Sequence, residues 1–201
     1  CSWFWDKFAT IYGTPITLSA LSFNILMGFA GGIIGAWMVT RDPFWMMSGA
    51  LAGIFVAAAG LDVWYPPLAF CLGFLGGVVI KPVNDWLISL GIDDSVGAVS
   101  VHGFCGALGV LAVGVFAAGY PNVGDAPATS FVGQFVGLIV MILCGFIPGY
   151  FGSLILKVLG MLRVPDDAQE IGLDLAEIPA KAYPEAAVGS RSGGLAVQPA
   201  E

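Results

Sequence analysis

The chain contains one histidine, His102, and it lies inside an apolar stretch. Imidazole exchanges protons near neutral pH and both donates and accepts hydrogen bonds. An ionisable group inside a membrane span is costly and indicates, by default, a pathway or a proton relay. Gly103, Gly106 and Gly109 follow at three-residue steps and clear one side of a helix for a pore wall or a close backbone approach. The residues leave open an alternative, in which a neutral imidazole bonds a neighbouring carbonyl and only packs.

The composition around this histidine is that of a membrane protein. Of 201 residues, 58% are hydrophobic and 10% are charged, and the mean hydropathy is +0.89. A soluble domain is about 25% charged. The 29 glycines fit membrane helices, in which small residues let backbones approach closely. Seven scattered Lys and Arg residues do not favour a nucleic-acid partner.

Five apolar segments predict an all-α integral membrane protein with about five transmembrane helices. A span needs about 20 apolar residues, so the second and third segments are short and require tilt or burial. We expect an extracytoplasmic segment over 1–15, a five-helix membrane domain over 16–160 and a cytoplasmic tail over 161–201 whose end is disordered. The apolar segments are residues 16–39, 43–60, 67–80, 96–118 and 130–156.

The positions of the cations predict the orientation. With five spans, Lys7 falls on one side of the membrane and six cations fall on the other. The positive-inside rule then places the N-terminus outside and the C-terminus in the cytoplasm, in the inner (plasma) membrane of the cell. The six cations are Arg41, Lys81, Lys157, Arg163, Lys181 and Arg191.

No metal site, cofactor site or enzyme active site is predicted. One histidine and helices almost free of carboxylates cannot supply a Ser-His-Asp set, a phosphate loop or a metal cluster. Cys71, Cys105 and Cys144 lie in apolar stretches without a CxxC spacing, which predicts buried free thiols. Cys1 is either a lipidated residue or simply where a longer chain is cut, and we favour truncation.

Three stretches carry a resemblance to a known family. The run GIDDSVGAVSVHGFCGALGVLAVGVFA resembles the tenth span of ammonium transporters, the Amt/MEP/Rh family, with its acidic pair (Asp93 and Asp94), its Val101-His102-Gly103 and its closing G-x-F-A. The stretch LRVPDDAQEIGLDLAEIPAKAYPE resembles the C-terminal region of that family, and SGALAGIFVAAAG resembles its eighth span. The chain is thus similar to the C-terminal half, spans seven to eleven and the tail.

The resemblance implies a fold and a function. Members have an inverted-repeat fold of eleven spans, form homotrimers and carry ammonium or ammonia through a narrow apolar pore in each protomer. His102 matches one of two pore histidines, and an N-terminal half or other membrane subunits would supply the other. Trp3 and Thr10 match recruitment positions weakly, and the acidic pair would be structural. A regulator of the P-II type would dock on the tail.

Departures from the family pattern leave two hypotheses. Asp6-Lys7 stands where an apolar stretch is expected, Gly97 replaces an acidic residue, and Ile178-Pro179 replaces a His-Gly pair. The first hypothesis is ammonium or ammonia transport with His102 lining the pore. The alternative is a transport-inactive relative with a structural, assembly or sensing role in a larger membrane complex.

Overall fold

The structure is a computed structural model that describes residues 18–92, 94, 96–118 and 128–171. Its described residues form helices and no strand, which confirms the all-α prediction. Trp3, Thr10 and Asp93 lie outside the described residues, as does the tail after residue 171. The helices are α1 (Leu18–Thr40), α2 (Pro43–Ala58), α3 (Pro66–Ser89), α4 (Ala98–Phe116), α5 (Phe131–Val158) and α6 (Asp166–Ile171).

Four of these helices, α1, α3, α4 and α5, are long and apolar enough to cross a membrane. The 16 residues of α2 rise about 24 Å at 1.5 Å per residue, less than a bilayer core of ~30 Å. The prediction of a short third span was wrong, because α3 continues for nine residues past Ile80 to Ser89. Lys81 and Asp85 end the apolar run without ending the helix, and they form an i,i+4 ion pair on its surface.

The chain divides into two compact units, residues 1–144 and 145–201. The first unit holds α1 to α4 and the N-terminal half of α5. The second holds the C-terminal half of α5 and the short helix α6. None of the residues of α5 is buried, and its surface of Phe, Ile, Leu and Val is of the kind that lipid or another membrane helix covers.

In the first unit α1, α2 and α3 pack against one another, and glycines let the three backbones touch. A Cβ built at Gly32 of α1 would overlap the carbonyl oxygen of Gly49 in α2. A Cβ built at Gly77 of α3 would overlap the carbonyl oxygen of Gly32. The same arrangement repeats one turn nearer the start of α1, among Gly28, Gly53 and Gly73. The order of these contacts makes α2 antiparallel and α3 parallel to α1.

Buried hydrogen bonds tie α1 to the connection between α2 and α3. Asn24 is 2% exposed, and its Nδ2 donates to the carbonyl oxygens of Leu61 and Trp64, both at 2.9 Å. The indole N–H of Trp64 in turn donates to the carbonyl oxygen of Ala57 at 2.8 Å. Because the carbonyl groups of Leu61 and Trp64 lie between α2 and α3, Asn24 replaces the partners that a helix would supply. Ala57 lies in the last turn of α2, where carbonyl groups also lack regular helical partners.

We expect Gly77→Ala to destabilise the protein, because the added methyl group would meet the backbone of α1 and not a side chain that can move. Overpacking of this kind costs about 1–3 kcal/mol. The midpoint of thermal unfolding in detergent measures the effect.

Gly137→Ala on α5 is the matched control, because nothing lies within 4 Å of its added Cβ. Alanine favours an exposed helix over glycine by about 1 kcal/mol, so this midpoint should stay or rise. Equal losses in the two variants would contradict the packing argument.

Candidate functional site

The helix that carries His102 begins at a buried carboxylate. Asp94 is 6% exposed, and its Oδ2 accepts from the backbone N–H groups of Val99 at 3.0 Å and Ser100 at 3.2 Å. The hydroxyl of Ser100 lies 3.4 Å from the same oxygen and 3.2 Å from the carbonyl oxygen of Gly97. A negative group that bonds free N–H groups at a helix start also opposes the positive end of the helix dipole.

Gly97 has the backbone conformation that this start requires. Its φ of 73° and ψ of 31° place it in the left-handed region, which residues with a Cβ adopt rarely. A Cβ there would also lie 3.0 Å from the hydroxyl of Ser100. The glycine at this position is therefore explained by the local backbone, and the carboxylate that serves the helix start comes from Asp94.

The first part of α4, Ala98–Phe104, is a π-helix, and an α-helix follows from Cys105 to Phe116. Such wide turns are rare in proteins and occur often at functional sites. His102 lies in this turn and is exposed. Within the described part of the chain, neither nitrogen of its imidazole makes a hydrogen bond. Its ring packs instead on Phe55 of α2, with 4.2 Å between ring centroids and 52° between ring planes.

A tight crossing of α2 and α4 places Phe55 near His102. A Cβ built at Gly109 would lie 2.5 Å from the carbonyl oxygen of Val56 and 3.0 Å from that of Phe55. On its other side α4 packs on α3, where the thiol of Cys105 points to the carbonyl oxygen of Gly76 at 3.9 Å. Gly103 and Gly106 have room for a Cβ, the nearest atom being Cγ1 of Val99 at 3.8 Å from the former.

The structure confirms some of the other predictions about individual residues and contradicts others. Asp94 and His102 belong to one helix and its start, but Asp93 is not described. The prediction of buried thiols holds for Cys105 and is wrong for Cys71 and Cys144, which are exposed on α3 and α5. Their apolar neighbours suggested burial, but in a membrane helix apolar faces also point outwards. The described residues contain no group of three or more His, Cys, Asp and Glu side chains that could hold a metal.

The ring contact of Phe55 did not emerge from the sequence. Phe55 is one of 14 phenylalanines, and it lies 47 positions before His102. Only the crossing of α2 and α4 brings the two rings together. The single available signal was Gly109, which marks α4 as a surface for a close approach without naming the approaching helix.

The sequence model of the Ammonium Transporter Family matches residues 8–183. This chain belongs to the ammonium transporter family. The resemblance found in the sequence is thereby confirmed, and the chain is a multi-pass membrane protein. Ammonium transporter Amt2 of Methanocaldococcus jannaschii is 34% identical over 164 residues, 81% of this chain and 39% of that relative. Ammonium transporter Amt1 of the same organism is 34% identical over 176 residues, 85% of this chain and 44% of that relative.

A solved structure named "Sensor Amt Protein" shares the fold, with a TM-score of 0.70 and 24% identity over 82% of this chain and 43% of that one. Ammonium transporter Amt2 of Archaeoglobus fulgidus is 30% identical over 204 aligned positions, 90% of this chain and 43% of that relative. This member of the family thus spans about two fifths of the length of the relatives it matches.

We expect Asp94→Ala to lower stability by about 1 kcal/mol, the usual cost of removing a helix cap. Asp94→Asn should lose much less, because its amide oxygen still accepts from Val99 and Ser100. The midpoint of thermal unfolding in detergent distinguishes the two. As a control, Asp85→Ala removes only an exposed i,i+4 ion pair, worth about 0.3–0.5 kcal/mol. A loss in Asp94→Ala no larger than this would contradict the capping role.

Proposed function

We propose that this chain forms part of a pathway for ammonium or ammonia across the membrane, with His102 lining that pathway. The observation that supports the proposal is that the imidazole is exposed and without a hydrogen bond from the described residues. It is exposed on a helix long enough to span the membrane, and none of the described residues hydrogen-bonds it. An ionisable side chain left open in this way costs free energy in lipid, unless it faces a polar guest or a protein cavity.

This geometry supports the pathway over a packing role. A packing histidine would be buried with a bond to a carbonyl oxygen, as Asn24 is at the start of α1. At His102 the glycines that follow leave open space, and the ring nitrogens can reach a guest the size of ammonia. The curated relatives named above as ammonium transporters make ammonium or ammonia the natural substrate, and an enzymatic role is not proposed.

The proposed pathway needs a second wall, because His102 and its neighbours form one exposed surface. We propose that further protein, an N-terminal half or another membrane subunit, supplies this wall, and that the assembly is a homotrimer. Trp3 and Thr10 remain candidates for recruiting ammonium outside, and the acidic pair of Asp93 and Asp94 for a structural role. Residues 161–201 would form the cytoplasmic tail on which a P-II type regulator docks.

The alternative function is that of a transport-inactive subunit with a structural, assembly or sensing role. One observation favours it, since the solved structure with the same fold is named "Sensor Amt Protein". At 24% identity that likeness concerns the fold. The charged pair Asp6-Lys7, in a segment where the family pattern is apolar, also favours a transport-inactive role.

We expect His102→Ala to reduce methylammonium uptake by at least tenfold, since a positioned group that exchanges protons in a reacting step commonly contributes a factor of about 10²–10⁴. Uptake is measured in cells that lack their own ammonium transporters and produce the protein as its gene encodes it. Val115→Ala is the control, because Val115 is an exposed residue near the other end of α4. Full uptake by a stably inserted His102→Ala variant would make His102 a packing residue.

The same cells distinguish the two functions. A wild-type protein that inserts stably and gives no uptake, whether alone or with a candidate N-terminal partner, would overturn the transport proposal. The non-transporting role would then be the one to pursue.

We also propose that the N-terminus lies outside and the C-terminus in the cytoplasm, as the cations indicate. We expect a membrane-impermeant maleimide to label Tyr65→Cys in intact cells and to label Leu90→Cys only after permeabilisation. Both positions are exposed, before and after α3. The background carries serine at Cys1, Cys71 and Cys144. The reverse labelling pattern would show the opposite orientation.

A further inference from the structure

The imidazole of His102 is in contact with an aromatic ring. No hydrogen bond from the described residues fixes either ring nitrogen, and the ring of Phe55 lies 4.2 Å away between centroids. The second side-chain torsion of histidine has a broad range of allowed values. The orientation of the ring therefore depends on what packs against it, and Phe55 is the aromatic neighbour that the structure records.

Phe55 can serve as a support because its own position is fixed. Its side chain is half-buried against the hydrophobic core of the first unit. Its backbone lies at the crossing with α4, where a Cβ at Gly109 would come 3.0 Å from the carbonyl oxygen of Phe55. The support and the supported ring thus belong to two helices whose distance is set by a backbone contact.

The glycines that follow His102 in its own helix provide no such support. Gly103 follows it directly and Gly106 lies one turn further, and neither has a side chain. A Cβ built at Gly106 would meet nothing within 4 Å. Phe55 contacts the imidazole with the two ring planes tilted by 52°, and His102 remains exposed for a guest or another protein wall.

From this geometry we propose that Phe55 is a positioning residue for His102. Its ring holds the imidazole in one orientation, with both ring nitrogens free for the guest, and acts on transport through His102. The inference rests on the proposed function and deepens it. It assigns a role to a residue of α2, a helix too short to count among the four clear spans.

The contact itself is tested first, without transport. His102 is the single histidine of this sequence, and its ring protons are assigned in the NMR spectrum of purified protein by their loss in His102→Gln. We expect Phe55→Leu to abolish the ring-current displacement of these protons, since leucine keeps an apolar side chain and removes the aromatic ring. Phe23→Leu is the matched control on α1, where Phe23 is 52% exposed.

The second test asks whether the orientation matters for transport. We expect Phe55→Leu to lower the maximal rate of methylammonium uptake by about tenfold, because misorientation of a reacting group lowers rates steeply. The KM should stay within about twofold, as expected when a change slows the transport step and leaves substrate binding unaltered. Phe55→Tyr keeps the ring and should restore both the uptake rate and the displaced proton shifts. Phe23→Leu should behave as wild type.

The outcomes separate this proposal from the transport proposal. Unchanged shifts in Phe55→Leu overturn the positioning role, whatever the transport result. Lost shifts with an unchanged uptake rate overturn it as well, because orientation would then be irrelevant. If the wild-type protein shows no uptake, the proposed function fails and a positioning role in transport fails with it, while the NMR result still shows whether the two rings are in contact. If Phe55→Leu does not accumulate in the membrane, Phe55→Met replaces it, since methionine adapts to irregular space.

Discussion

The close approach of α1 to α2 and α3 is the contact on which the rest of the structure depends. Lipid tails are as apolar as leucine, so helices in a membrane associate through van der Waals packing and hydrogen bonds. Dispersion forces decline steeply with distance, which makes backbone contact at Gly32, Gly49 and Gly77 valuable. Those positions have no room for a methyl group. The rotation of each helix about its axis is set by these contacts, and with it the set of side chains that face each neighbour.

The site follows from this packing one helix at a time. Because α2 is fixed against α1, its far side meets α4 at Gly109, and Phe55 reaches His102. Asp94 fixes where α4 begins, and the left-handed Gly97 directs the chain into the π-helical turn. The imidazole thus depends on restraints from two segments, α2 and the connection before α4, while none of the described groups bonds its nitrogens. An imidazole that is positioned by packing, with its nitrogens free to hydrogen-bond, suits the binding of a small polar guest.

Membership of the ammonium transporter family relates this geometry to a class of membrane proteins. It does not by itself establish that this chain transports ammonium. The chain spans about two fifths of the length of the relatives it matches, and the exposed surface of α5 is mostly apolar. Both the open histidine and that surface leave room for further membrane protein or lipid. The proposals on pathway, orientation and Phe55 each concern a contact that can be changed within this chain.

Composition and apolar length by themselves determined the all-α membrane class and three of the long spans, because burying charge in lipid is costly at every position. The motifs around His102 and in the tail indicated the family. The sequence also indicated His102 and the acidic residue at the start of α4, because both residue types occur at the spacing typical of the family. The length of α3, the exposure of Cys71 and the partner of His102 were decided only by the tertiary structure. Helix α3 continues past Lys81 and Asp85, which pair on its surface, and the rotation of each helix about its axis decides which apolar faces are covered. A sequence shows which side chains a helix carries, but packing of backbone on backbone decides which of them meet.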